Sequence, residues 1–133
     1  MVSVMNRRRS VIVLLLLAAL VIVPALATEQ YAFVTKWGSG GIEEGHFTTP
    51  TGVAVDSTGK VYVADYGNNR VQKFDSAGGF IKKWGSLGDE DGQFAGAYGI
   101  ATDTNGNVYV TDNSNFRIQK FDANGGFLTK WGP

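Results

Sequence analysis

Two carboxylate and guanidinium sets stand at one spacing in this chain: Asp65 with Arg70, and Asp112 with Arg117, spanning Asn68 and Asn115 respectively. A carboxylate facing a guanidinium across a short loop forms charge-assisted hydrogen bonds that can lock the loop. Catalysis needs unlike groups in unlike roles. Because the two sets match, they read as pins holding a loop in each of two like units. Asp56/Asp103 and Asp75/Asp122 also recur in register, each just before turn residues, and most simply cap those turns.

Other chemistry is thinly supplied. Glu43-Glu44-Gly45 and Asp89-Glu90-Asp91-Gly92 offer oxygen atoms, but without the alternating ligand spacing of a calcium loop. His46 is the sole histidine and Gln93 stands at the matching place, so one copy cannot build a multi-histidine centre. There is no cysteine, serine elbow or glycine-rich phosphate loop opening a helix. No catalytic residue, metal ligand or cofactor is expected.

The elements that position these residues come from a duplication. Gly38 to Trp84 repeats without a gap as Gly85 to Trp131, the offset being 84 − 37 = 47 between Trp37 and Trp84 and 131 − 84 = 47 between Trp84 and Trp131. Of the 47 aligned pairs, 25 are identical by direct count. Each unit holds four apolar-rich runs: residues 52–56, 61–65, 70–75 and 80–84, then 99–103, 108–112, 117–122 and 127–131. Ser57-Thr58-Gly59 and Ser76-Ala77-Gly78-Gly79, with their counterparts, supply tight turns. Such a unit folds as a four-stranded antiparallel meander, and a period of about 40 to 50 residues made of short strands marks a propeller blade.

The run Gly-Val-Ala-Val-Asp, a turn glycine, Val-Tyr-Val-Ala-Asp, Asn-Arg-Val-Gln-Lys-Phe-Asp, Gly-Gly-Phe and Trp-Gly resembles the NHL repeat. The resemblance runs over Tyr31 to Pro133 and implies a β-propeller, of six or less often five blades in complete members. The expected fold is all-β: a leading outer strand at 31–38, blade one at 48–85 and blade two at 95–132. Trp37, Trp84, Trp131, Phe47 and Phe94 recur in register and read as wedges between blades, with Asp65 and Asp112 as structural pins.

Residues 1–27 read as an export signal: Arg7-Arg8-Arg9, an apolar run from Val11 to Val23, Pro24, and Ala25-Leu26-Ala27. That run of about 13 residues is short of the roughly 20 that span a bilayer, so a cleaved leader is expected and membrane contact only through an uncleaved one. The chain would then be secreted or held at the cell surface. Removing three arginines leaves 9 basic against 12 acidic residues, a net −3, the wrong sign for a nucleic-acid partner.

In a meander, the second-to-third connection and the link to the next blade emerge on one side, which carries the long loops. Candidate contact residues there are Tyr66, Asn68, Asn69, Arg70, Tyr98, Asn113, Asn115, Phe116 and Arg117, for a protein, peptide or glycan ligand. The expected function is a non-catalytic binding scaffold; the alternative is a metal-dependent lyase or lactonase-like propeller enzyme completed by further blades. Two blades leave apolar faces uncovered. Three outcomes stand open: a piece of a longer propeller, a homotrimer completing six blades, or an association-prone arc.

Overall fold

The computed structural model describes residues 32–133. The expected leader lies outside these residues. The chain divides into a unit of Met1–Thr35, of which the described residues 32–35 hold no helix or strand, and a unit of Lys36–Pro133 that holds every described strand. Among the described residues no helix is long and apolar enough to cross a membrane.

The fold is all-β, two four-stranded antiparallel sheets laid face to face. Short strands β1 (Ser39–Gly40) and β2 (His46–Phe47) pair in parallel within the loop that enters the first sheet. That sheet, blade one, is a meander of β3 (Pro50–Val55), β4 (Val61–Asp65), β5 (Arg70–Phe74) and β6 (Phe80–Trp84). Blade two repeats it as β7 (Ala97–Thr102), β8 (Val108–Asp112), β9 (Arg117–Phe121) and β10 (Phe127–Trp131).

Strand limits follow the side chains. Asp56, Asp75, Asp103 and Asp122 fall just outside the strands because their carboxylates leave the ladder to bond the turns. Asp75 accepts from the amides of Ala77 at 2.9 Å and Gly79 at 2.7 Å. Asp122 accepts likewise from Asn124 at 2.7 Å and Gly126 at 2.9 Å. Each aspartate fixes a turn that its own glycine, Gly78 (φ 87) or Gly125 (φ 79), can enter at positive φ.

One expectation is corrected. The strand anticipated at 31–38 is absent among the described residues, where 32–38 carry no ladder. A strand is defined by a hydrogen-bonded neighbour, and none of the described residues supplies the third strand of a preceding blade. Trp37 nevertheless takes the place its repeat position requires. An added Cβ on Gly78 would lie 2.5 Å from the Trp37 ring, just as one on Gly125 would lie 2.6 Å from Trp84.

The main core cluster lies at the seam between the sheets, and Phe74 is buried apart from it against Trp37 and Phe47. Tyr62, Ala64 and Val71 of blade one are buried together with Phe94, Ala97, Val108, Val110 and Phe121 of blade two, and Trp84, Ile100 and Phe127 close the cluster. Trp84 is the wedge: its ring stands 6.2 Å from Tyr62 and 5.9 Å from Phe121. Trp131, expected to act likewise, instead stacks on Tyr109 of its own blade at 6.1 Å and 17°. No described residue lies beyond it to be wedged against.

Candidate functional site

The end of the sheets that carries the long loops is organised by the two Asp/Arg sets. Asp65 closes β4 and Arg70 opens β5, and the two are direct cross-strand neighbours in the ladder, as are Asp112 and Arg117. The connection between them is a single 3-10 turn, Tyr66–Asn68, that Asn69 ends in the left-handed region at φ 51. Phe116 occupies that position in blade two at φ 54.

Each carboxylate is saturated. Asp65 Oδ2 accepts from Arg70 Nε at 2.8 Å, Asn68 Nδ2 at 2.8 Å and Gln72 Nε2 at 3.3 Å, while Oδ1 accepts from the Thr48 amide at 2.8 Å. Arg70 donates its remaining bonds to the carbonyls of Ile42 at 2.7 Å, Glu43 at 2.9 Å and His46 at 2.8 Å. Blade two repeats the set. Asp112 takes Arg117 at 2.8 Å, Asn115 at 2.9 Å and the Ala95 amide at 2.8 Å, and Arg117 donates to Asp89, Glu90 and Gln93 carbonyls. The arginine thus ties down the loop that leads into its own blade. Both ion pairs are buried, where loss of one partner would strand a charge.

These bonds sort the candidate contact residues. Arg70 and Arg117 are buried, and Asn68 and Asn115 turn inward to carbonyls of Gly41 at 3.0 Å and Gly88 at 2.8 Å. The arginines are closed off from a partner, and the half-buried asparagines have their amide nitrogens engaged inside. Asn69 is half-buried, its Oδ1 accepting from the Gly96 amide at 2.8 Å across the seam. Tyr66 is half-buried against Gly96, edge-on to Tyr98 at 6.1 Å and 86°. Solvent-facing are Tyr98 at 53% exposure, beside Tyr66 at the seam, and Asn113 and Phe116, the latter at 80% exposure, which border a hollow with Ile118 and Trp131 on the side of blade two away from blade one. Gln72 and Gln119, fully buried in the same networks, were not singled out from sequence; their identity in both units at strand positions was the available signal.

The opposite end carries the tight turns. Burial raises the Asp56 carboxyl, but hydrogen bonds from Thr58, the Lys60 amide and Tyr62 outweigh it and hold the group at about 2. Asp103 is likewise held at about 2, chiefly by the Asn107 side chain. Tyr62, donating to Asp56 at 2.9 Å, is pushed above its ordinary value by burial first and that carboxylate second. Among the described residues no three histidine or carboxylate side chains gather as a metal centre.

The geometry of one loop-pinning knot per sheet coincides with a family profile: that of the NHL repeat matches residues 47–74 and 94–121, from each entering phenylalanine to the end of the third strand. The chain carries two NHL repeats. A stretch of 43 residues is 51% identical to the B-box type zinc finger protein ncl-1 of Caenorhabditis elegans, covering 32% of this chain and 5% of that protein. A 43-residue stretch is 49% identical to the protein brain tumor of Drosophila melanogaster, covering 32% of this chain and 4% of that one. The chain therefore spans only a small part of these relatives. In fold it is similar to a streptogramin B lyase, with a TM-score of 0.50 at 22% identity over 62% of this chain and 26% of that one. The two NHL repeats are accordingly two blades of β-propeller type.

Proposed function

We propose that this NHL-repeat chain is an exported, non-catalytic interaction scaffold that binds a protein, peptide or glycan through its long-loop end. One observation carries the reading: at the loops of blade two the residues shared with blade one are turned inward and bonded, whereas Tyr98, Asn113 and Phe116, which differ from their counterparts, face solvent. Asp65, Asn68, Arg70 and Gln72 match Asp112, Asn115, Arg117 and Gln119 and are consumed inside. Thr51/Tyr98, Tyr66/Asn113 and Asn69/Phe116 differ, and Tyr98, Asn113 and Phe116 are exposed.

Phe116 adds a second support. A bulky residue in the left-handed region is strained, and an exposed one gains little from packing to offset the strain. Strain kept on a surface points to a contact made there. The test is a screen of the immobilised protein against peptide and glycan arrays, followed by Tyr98→Ala and Phe116→Ala on any ligand found. Both should weaken binding, while a far-end control, Asp75→Asn, should not. Turnover by a preparation that retains stoichiometric calcium or zinc would instead favour the lyase or lactonase-like reading. Recovery of extracellular protein beginning at Thr28 would support export, and protein retained in the cytoplasm would refute it.

A further inference from the structure

Among the described residues the two blades form one filled joint and present two open halves of the same joint. In the filled joint, blade one's far face, with Ala64, Val71 and Trp84, is covered by Phe94, Gly96, Ala97 and Ile100 of blade two. The fit is close. An added Cβ on Gly85 would lie 2.7 Å from the Phe94 ring, and one on Gly52 would lie 2.8 Å from the Tyr98 carbonyl oxygen. Moving 47 positions on, blade two's far face presents Thr111, Ile118 and Trp131, open to solvent over a hollow of about 370 Å³, with Ile118 41% and Trp131 50% exposed. Moving 47 positions back, blade one's near face presents Phe47, Thr49, Pro50 and Val53; Pro50 and Val53 border a second hollow of about 250 Å³, with Val53 66% exposed, while Phe47 is half-buried against Trp37 and Phe74.

We propose that the far face of blade two receives the near face of blade one of a second copy, head to tail, in the geometry of the internal seam. The occupant is a second copy because the surface that fits this face is known from the seam, and blade one carries the repeat of that surface, open at Pro50 and Val53 and covered among the described residues by Trp37 at Gly78. Such a heterologous contact propagates into a ring or an open chain according to whether its rotation closes.

The two joints differ in chemistry in a way that suits this division. Side-chain bonds cross the internal seam: Asn69 Oδ1 accepts from Gly96, Thr51 donates to the carbonyls of Tyr98 at 2.7 Å and Ala97 at 3.4 Å, and Thr102 donates to the Val55 carbonyl at 3.1 Å. At the corresponding positions of the outer faces stand Phe116, Tyr98 and Val55, which cannot make those bonds. The outer joint is thus the more apolar version, with fewer side-chain bonds to fix its register. A further crossing bond, Lys73 Nζ to the Ala123 carbonyl at 2.7 Å, can be repeated by Lys120 toward the partner's Ser76.

There are three tryptophans for two glycine sockets. Trp84 fills the socket at Gly125, and Trp37 already fills the one at Gly78. A docked copy would bring its Trp131 to the Gly78 socket, so Trp37 acts as a plug that must leave. This makes the signs of two like substitutions opposite. Trp131→Ala should weaken self-association about tenfold or more, whereas Trp37→Ala should strengthen it. Ile118→Lys, at an exposed position, should abolish it, since an unpaired ammonium would be buried in the joint.

The experiment is sedimentation velocity across a wide concentration range on the protein as the cell produces it, with the three variants alongside and circular dichroism to confirm their fold. Discrete multiples of the chain mass that Ile118→Lys reduces to monomer, with the opposite tryptophan signs, support the proposal. So does a monomeric parent that Trp37→Ala converts to oligomer. Should Trp37→Ala misfold, deletion of residues 32–37 removes the plug without truncating a strand. Parent and unplugged forms that both stay monomeric would overturn it, and would point to further blades of a longer chain as the occupant. Aggregation indifferent to Ile118→Lys would overturn it as well.

Discussion

Asn69 and Phe116 occupy one backbone position at φ 51 and φ 54, yet only the asparagine has a bond to show for it. Asparagine tolerates the left-handed region; phenylalanine does not. Phe116→Gly is therefore expected to stabilise the protein by about 1 kcal/mol, read as a raised denaturation midpoint, and a lowered midpoint would show that the ring packs usefully. At the other end, Asp56 and Asp103 titrate at about 2 in the fold against an ordinary value of 3.8. On acidification the unfolded chain takes up these protons first. The stability they contribute is complete above 3.8 and drains as pH falls through about 2. Denaturation midpoints at pH 5 and near pH 2 should fall less steeply for Asp103→Asn than for the parent, and parallel slopes would refute the assignment. The pinning role of Asp65 and Arg70 was legible because the pair recurs unchanged at the ends of two strands. That Asn68 and Asn69 point inward was not legible, since loop position does not tell which side of the backbone faces the core. Their comparison across the repeats, Asn68 matched and Asn69 replaced by phenylalanine, was the usable clue.

Strands proved readable because each one combines β-branched or aromatic alternation with a glycine turn at its end. The eight main runs fall within a few residues of β3 to β10, and the shifts have a cause: the terminal aspartates leave the ladder for the turn amides. The leading strand at 31–38 failed for the reason that makes a strand at all, namely a neighbour outside its own sequence. Side-chain burial within an element followed from which sheet faces the seam. Trp84 ends β6 and stands between both sheets, whereas Tyr66 lies on the connecting turn. Trp84→Ala should cost about 3 kcal/mol and Tyr66→Ala about 1. Equal shifts in thermal midpoint would mean that the seam does not depend on the wedge.

Two sheets sharing one core at their seam behave as a short one-dimensional array, in which the coupling between neighbours matters as much as either unit. The pseudo-repeat supplies its own control for that coupling. Gly52 and Gly99 hold the same place in the innermost strand of each blade, but a Cβ on Gly52 would meet the Tyr98 carbonyl at 2.8 Å, across the seam. A Cβ on Gly99 would meet the Thr111 hydroxyl at 3.0 Å, the movable end of an exposed side chain in its own blade. Backbone cannot yield as a side chain can. Gly52→Ala must push the blades apart, so it should cost about 1–3 kcal/mol and broaden the denaturant transition as the two sheets unfold less in concert. Gly99→Ala should stay within about 1 kcal/mol with an unchanged slope. The reverse order would place the cohesion of the molecule inside each sheet. In that case neither the internal joint nor a copy of it between chains would govern stability.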